Sequence, residues 1–95
     1  MIDRKLFEFQ MKKQRIYIDR RGLCEVCGRF VLYSDYQLAH RIPKTKFNLK
    51  MYGPEVIHHP MNLALTCGLR CNAAVNINHK PIEKQRLIDE IEELL

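Results

Sequence analysis

The pattern of apolar and polar positions predicts a helix at each end of the chain and a mixed region between them. Residues 3–20 contain good helix formers and no Gly or Pro, and their apolar and basic side chains share one rough helical stripe. This predicts an N-terminal helix that ends before Gly22. At the other end, Pro81 suits the first position of a helix, and five apolar residues follow at the 3.6-residue period: Leu87, Ile88, Ile91, Leu94 and Leu95. The apolar face of this helix, residues 81–95, is expected to pack inward or onto a partner.

Short extended runs lie in the central region. Residues 30–33 and 36–40 predict two strands, and the turn-forming pair Ser34-Asp35 between them favours a hairpin. Residues 62–66 are short and apolar and predict a further strand. A helix is expected to follow the second pair of cysteines, with Asn72 near its cap.

A long segment without a regular pattern, residues 41–61, lies between these strands. Its prolines and lysines predict a solvated irregular loop, and a loop of this length inside a compact domain usually has a function. The 95 residues allow one domain, and no apolar run approaches the roughly 18 residues of a membrane span. Because charged side chains occupy the stretch where a signal peptide would be apolar, we expect a cytoplasmic protein.

Charge is distributed unevenly along the chain. The net charge is +5, but fourteen basic and six acidic residues precede Pro81, whereas two basic and five acidic residues follow it. A body of charge +8 is expected to bind a polyanion such as DNA, although a merely soluble basic protein would have the same composition. The terminal segment of charge −3 leaves open another class, a small interaction protein that binds a partner through residues 81–95.

Four cysteines form two close pairs, Cys24 with Cys27 and Cys67 with Cys71. Each spacing can place two thiolates on one side of a turn, and two such pairs are typical of a tetrahedral Zn²⁺ site. Gly28 can take the positive φ that such a knuckle usually requires. A redox motif would explain only the first pair, and structural disulfides conflict with a chain that is expected to lack an export signal. We therefore predict one structural zinc per chain, whose binding contributes folding free energy.

The order of motifs in residues 21–78 resembles that of the HNH endonucleases, which have a ββα-metal fold. The matching elements are the first cysteine pair, Leu38–Pro43 with His40, His59–Leu63 with Asn62, and the second cysteine pair followed by Asn72. The resemblance implies a small zinc-stabilised α+β domain with a ββα-metal, treble-clef-like core. A basic helix, residues 1–20, and the amphipathic helix, residues 81–95, would flank that core. Nucleases this small are typical of phages and mobile elements, so the host cytoplasm is the expected setting.

The resemblance also implies a role for each matched residue. His40 would be the general base that takes a proton from the attacking water, and Asn62 would pin the loop and orient His40. Asn72, together with His40, would hold a catalytic Mg²⁺ or Mn²⁺, and Asn76, one helical turn further along, is the alternative to Asn72. The products would carry 5′-phosphate and 3′-hydroxyl ends.

The sequence departs from the family pattern at the expected cation site. Ala39 stands where many relatives carry an acidic or imidazole ligand, and Asn72 replaces a His after a knuckle that is one residue longer. These changes make an H-N-N variant with weak ligands for the cation. A zinc-stabilised DNA-binding module without catalysis is the alternative function. In that case His40 would be a satisfied strand-end histidine, Asn62 a turn residue and Asn72 a helix cap.

Several polar residues surround the predicted base along the chain. The basic ones are Arg41, Lys44, Lys46 and Lys50, which are placed to hold a phosphate backbone or else form a solvated loop. His58 and His59 precede Pro60 and are candidates for second metal or phosphate contacts, or for plain surface histidines.

Overall fold

The computed structural model describes residues 4–95, and within that range the chain is a small α+β protein, as predicted. Its helices are α1 (Arg4–Asp19), α2 (Lys46–Tyr52), α3 (Pro54–Ile57), α4 (Leu69–Ala74) and α5 (Pro81–Leu94), with a 3-10 helix at Pro60–Asn62. Its strands are β1 (Gln37–His40) and β2 (Leu63–Thr66). Residues 1–3, which the basic helix given as residues 1–20 would include, lie outside the described range. None of the described helices is long and apolar enough to cross a membrane.

α1 ends where the sequence predicts, because two consecutive residues take a left-handed backbone. Arg21 has a φ of 57° and Gly22 a φ of 66°, and the N–H of Gly22 donates to the carbonyl of Tyr17 at 3.1 Å. A Cβ at Gly22 would lie 2.8 Å from the hydroxyl of Tyr17, so both the φ and the space require glycine there. The Tyr17 hydroxyl donates in turn to the carbonyl of Val31 at 2.6 Å, which fixes α1 against the first cysteine knuckle.

The predicted hairpin of residues 30–40 is wrong. Within residues 30–33 only Phe30 makes a bridge, to Leu23, and a turn at Leu32 then redirects the chain. β1 pairs instead with β2, in an antiparallel register that places Gln37, Leu38, Ala39 and His40 opposite Thr66, Leu65, Ala64 and Leu63. All four residues of β2 are buried, whereas only Val31 is buried among residues 30–33, so the distant apolar strand is the better partner for β1.

The predicted irregular loop of residues 41–61 is also wrong, because it contains α2 and α3. Thr45 caps α2, since its hydroxyl accepts the N–H of Asn48 at 3.1 Å. Gly53, with a φ of 84°, ends α2, and Pro54 occupies the first position of α3. Thr45, Gly53 and Pro54 are the capping and stop signals of these helices in the sequence. The many prolines and lysines of the segment nevertheless favour the prediction of a loop.

We call residues 41–61 the insert, and the apolar face of α5 packs against it. Ile88 and Ile91 of α5 are buried against Ile42, Val56 and Ile57, which belong to the insert. This inward packing is one of the two alternatives that the sequence left open. The insert is therefore a packed part of the domain, and its backbone can hold side chains in fixed positions.

The prediction that Asn72 lies near the cap of this helix is wrong. α4 begins at Leu69, so Asn72 lies inside the helix. The helix ends at Ala74, and Asn76 does not continue the helical face of Asn72. Val75 packs with Ala39 and Ala64 in a small apolar cluster on one face of the sheet. Because side chains alternate along a strand, His40 is on the opposite face of β1 from this cluster. The two strands, α4 and the four close cysteines match the outline of the expected core, and its identity as a ββα-metal fold stays a prediction.

Candidate functional site

The four cysteines converge at one point beside the start of β1. Their sulfur atoms all lie within 4.8 Å of one another, and the Sγ–Sγ distances from Cys67 are 3.7 Å to Cys27 and 3.6 Å to Cys71. Tetrahedral thiolates at about 2.3 Å from Zn²⁺ are separated by about 3.8 Å, so the cluster fits a metal ion such as zinc. Gly28 has a φ of 76°, the left-handed conformation that the sequence predicts for the knuckle.

The thiols of this cluster ionise unequally. Burial of Cys24 acts to raise the pKa of its thiol, but hydrogen bonds from backbone N–H groups outweigh that effect and lower the pKa to about 6. A hydrogen bond with Cys67, followed by burial, raises the pKa of Cys71 to about 12. A bound cation would replace the protons of the remaining thiols, so metal binding and thiol ionisation are linked.

Glu25 joins the first knuckle to the sheet. Its backbone N–H donates to the carbonyl of Leu65 at 2.9 Å, and its carboxylate accepts the N–H of Leu65 at 2.5 Å. The same carboxylate pairs with Arg41 at 3.2 Å and with Arg20 at 3.5 Å. Arg41, which the sequence assigns to phosphate binding, is thus engaged by an acidic partner within the chain.

His40 is at the end of β1 and its ring meets that of His58, which caps the end of α3. Nε2 of His40 lies 3.2 Å from Nδ1 of His58, with the ring centroids 5.4 Å apart and the ring planes at 76°. Burial, followed by the positive charges of His58, Lys44 and Lys12, lowers the pKa of His40 below its ordinary value of 6.5. The ring of His40 is therefore neutral at pH 7 and keeps a lone pair.

Two lysines supply positive charge beside this histidine pair. Lys12 extends from α1, and its ammonium group donates to the backbone carbonyl of His58. Lys44 is exposed on the insert and acts on both imidazoles. Sequence reasoning missed Lys12, although it lies one helical turn before Ile16, the only buried residue of α1 among those described. That spacing places Lys12 on the face of α1 that meets the rest of the protein.

Asn62 is fully buried and holds both histidine-bearing segments. Its Oδ1 accepts the N–H of Ile42 at 2.8 Å, and its Nδ2 donates to the carbonyls of Ile42 at 3.0 Å and Ile57 at 2.8 Å. Ile42 lies two residues after His40, and Ile57 immediately precedes His58. The side-chain amide of Asn62 thereby fixes the distance between His40, at the end of β1, and His58, at the end of α3.

Asn72 and Asn76, the two asparagines expected to hold the catalytic cation, form hydrogen bonds with residues other than His40. Asn72 accepts a hydrogen bond from the Thr66 hydroxyl and donates to Oε1 of Gln37 at 2.6 Å. Gln37 is the first residue of β1 and His40 the last, so Asn72 is roughly 10 Å along the strand from His40. Asn76 accepts the N–H of Asn78 at 2.8 Å in the turn before α5. Among residues 4–95, neither Asn72 nor Asn76 hydrogen-bonds to His40.

The surroundings of His40 do not fit a protein-held Mg²⁺ or Mn²⁺. In the described part of the chain, the four cysteines are the only group of three or more Cys, His, Asp or Glu side chains arranged for a metal. Ala39, at the position of the expected ligand, is buried with Ala64 and Val75. Hard cations prefer several oxygen ligands, and these residues offer none.

The other basic residues of the insert are exposed. Lys46 and Lys50 are one turn apart on α2 and face solvent, as the phosphate-binding prediction requires. A cleft of about 740 Å³ lies between α1 and Pro60, with Lys12 and Arg15 in its wall.

Comparison with protein-family models, with curated proteins and with solved structures finds no match to this chain. The resemblance to HNH endonucleases thus depends on the order of the motifs in the sequence.

Proposed function

We propose that this protein is a zinc-stabilised DNA endonuclease in which His40 is the general base. The observation that carries the proposal is the environment of His40. A neutral imidazole lies at a strand end, held against His58 by the buried Asn62, with Lys12 and Lys44 close by. Perturbed pKa values cluster at functional sites, and positive groups beside a base can stabilise the charge that develops on a phosphate ester during hydrolysis.

The chemistry needs two groups that this surface offers. Hydrolysis of a phosphodiester requires a base that takes a proton from water as its oxygen attacks phosphorus, and a neutral histidine suits that task at pH 7. It also requires positive charge near the phosphate oxygens as negative charge develops on them. Lys12 and Lys44 supply this charge, while Lys46 and Lys50 would contact the backbone further along the duplex.

The Mg²⁺ or Mn²⁺ dependence implied by the resemblance is a separate part of the proposal. No group of three or more Asp, Glu, His or Cys side chains is arranged for a metal around His40 in residues 4–95, so we assign no step to a cation held by this chain. If the reaction requires one, the ion would be held by DNA phosphates and water, which are common ligands of Mg²⁺ in nucleotide sites.

A plasmid assay tests the proposed activity. Supercoiled DNA is incubated with wild type, with His40→Ala, or with His79→Ala, each in Mg²⁺, in Mn²⁺ and without divalent metal. His79 is an exposed histidine between α4 and α5 and serves as the matched control. We expect nicked or linear DNA with wild type and His79→Ala and a loss of at least about 100-fold in rate with His40→Ala. Equal cleavage by wild type and His40→Ala, or none by either, would reject the nuclease proposal.

A DNA-binding module without catalysis is the second candidate, and the apolar cluster of Ala39, Ala64 and Val75 favours it. That cluster occupies the position where relatives carry a cation ligand. The same plasmid assay, joined to a gel-shift measurement, separates the two candidates. Tight binding by wild type and by His40→Ala, without cleavage by either, would select the binding module.

The interaction-protein alternative has less support. The charge of −3 on residues 81–95 is the feature that favours it, whereas the apolar face of the helix is not open to a partner, because Ile88 and Ile91 are buried against the insert. A partner that uses this face would have to displace part of the core.

A further inference from the structure

The contact between His40 and His58 limits the protons of the two rings to two arrangements. The separation of 3.2 Å between Nε2 of His40 and Nδ1 of His58 is within the range of a hydrogen bond. A neutral imidazole carries one N–H donor and one acceptor nitrogen. One proton therefore lies between the two rings, and it belongs either to His40 or to His58.

The two arrangements differ in whether His40 can act as a base. If Nε2 of His40 carries the proton and donates it to His58, Nδ1 of His40 keeps a free lone pair. If His58 is the donor, the only proton of His40 is on Nδ1 and its lone pair is already used. Among residues 4–95, no hydrogen bond occupies Nδ1 of His40, so this nitrogen can face a water molecule.

We propose that His58 is a positioning residue that holds His40 in the Nε2–H tautomer, with Nδ1 open toward the substrate. This inference rests on the proposed nuclease function. In the reaction, Nδ1 of His40 takes a proton from water as the water oxygen bonds to phosphorus. The bond from phosphorus to the leaving oxygen breaks, and that oxygen keeps the electron pair and is protonated by solvent. The Nε2–H of the resulting imidazolium stays hydrogen-bonded to Nδ1 of neutral His58.

The neighbouring charges favour this hydrogen bond over a metal ion between the rings. Two imidazole nitrogens about 3.2 Å apart would also suit two ligands of one transition metal. Lys12 and Lys44, however, act on both rings with positive charge, which repels a cation at that point. Burial, followed by the charges of Lys12 and Lys44, lowers the pKa of His58 below its ordinary value of 6.5, and a neutral His58 can offer Nδ1 as the acceptor.

His58 can be replaced without loss of the backbone cap at the end of α3. Its ring is exposed, and the capping bonds are made by its backbone N–H to the carbonyls of Pro54 and Val56. His58→Ala removes the acceptor. His58→Asn returns an oxygen acceptor at the position of Nδ1, because both atoms are bonded to Cγ. His79→Ala is the matched control.

The kinetic test uses steady-state cleavage of a labelled duplex. We expect His58→Ala to lower kcat by about 10- to 100-fold with KM within about twofold of wild type, since loss of a group that orients a functional histidine has this order of effect. His58→Asn should recover most of kcat, and His79→Ala should equal wild type. Unchanged kcat in His58→Ala would overturn the positioning role. So would equal losses in His58→Ala and His58→Asn.

A spectroscopic test observes the tautomer directly. Long-range ¹H–¹⁵N correlation spectra of the zinc-loaded protein assign the protonated nitrogen of each imidazole. We expect Nε2–H for His40 in wild type and a mixture of tautomers in His58→Ala. A proton on Nδ1 of His40 in wild type would overturn the proposal, as would a spectrum that is unaffected by His58→Ala. If wild type cleaves no faster than His40→Ala, the nuclease function fails and the positioning role fails with it. Cleavage by wild type that depends on His40 but is undiminished in His58→Ala removes the positioning role alone.

Discussion

Asn62 and Ile42 form a two-way hydrogen-bonded contact in the interior of the protein. Oδ1 of Asn62 accepts the N–H of Ile42 at 2.8 Å, and Nδ2 donates to the carbonyl of the same residue at 3.0 Å. The amide side chain thus occupies the place that a neighbouring strand would take beyond the end of β1. Because Nδ2 also bonds the carbonyl of Ile57, one residue joins the segments that carry His40 and His58.

Removing this amide should destabilise the domain. We expect Asn62→Ala to lower the free energy of unfolding by roughly 2–4 kcal/mol, because the N–H of Ile42 and two carbonyls would be left buried without partners. Urea unfolding followed by circular dichroism measures the change. Asn76→Ala is the control, since its side chain makes one hydrogen bond and should cost about 1 kcal/mol or less. Equal stability of wild type and Asn62→Ala would contradict the bonding described for this residue.

The cysteine cluster predicts a metal content and a dependence on it. Freshly purified protein should contain one zinc per chain, and Cys67→Ser should contain much less, because it removes one of the four clustered thiolates. A strong chelator should lower the melting temperature, and added Zn²⁺ should restore it. Elemental analysis and thermal melts provide the measurements. Well under one zinc per chain, with a melt that the chelator does not change, would count against the zinc site.

The lowered pKa of His40 gives the proposed activity a defined pH dependence. Burial of the ring, followed by the charges of His58, Lys44 and Lys12, disfavours its protonated form. Protonation removes the base, so kcat/KM should fall on the acid side, with a midpoint below 6.5. Lys44→Ala removes one of the positive charges and should move the midpoint upward toward 6.5. A wild-type midpoint at or above 6.5 would argue against His40 as the titrating base.

The parts of the fold that the sequence predicts are those encoded by local signals. Each cysteine pair is close in sequence, so its convergence follows from a short turn, and the positive φ of Gly28 follows from the same turn. The closing helix has five apolar residues at helical period, and its inward face is the one with Ile88 and Ile91.

The parts that the sequence does not predict depend on distant partners. The pairing of β1 with β2 replaces a hairpin that had a suitable turn, because β2 offers burial that residues 30–33 do not. The contact between His40 and His58 requires α3. The sequence predicts a loop at this position, because Gly53 and Pro54 are typical of irregular structure. The contact of Lys12 with the backbone of His58 depends on the angle between α1 and the first cysteine knuckle. Nothing in a linear pattern specifies that angle.

The exposed lysines of the insert should contribute to DNA affinity through charge alone. Lys44→Ala and Lys46→Ala should each weaken binding to unrelated duplexes by similar factors and reduce the slope of log K against log salt by about 1. Lys80→Ala, an exposed lysine in the turn before α5, is the control and should change the slope less. Fluorescence anisotropy at several salt concentrations gives the slopes. A loss of affinity confined to one DNA sequence would mean that these lysines read bases rather than phosphates.

The last prediction concerns whether α5 belongs to the core or serves a partner. Ile91 is 0% exposed and packs in the cluster with Ile42, Val56 and Ile57, whereas Leu94 on the same helix is 64% exposed. We expect Ile91→Ala to lower the free energy of unfolding by roughly 2–5 kcal/mol, and Leu94→Ala to change it by no more than about 0.5 kcal/mol. Urea unfolding of the isolated protein separates the two cases. If Ile91→Ala unfolds at the same urea concentration as wild type, α5 does not stabilise the insert, and its apolar face would be free for a partner. A large loss means that α5 holds Ile42 and Ile57 in place. Ile42 lies two residues after His40 and Ile57 immediately precedes His58, so α5 would also support the contact between the two histidines.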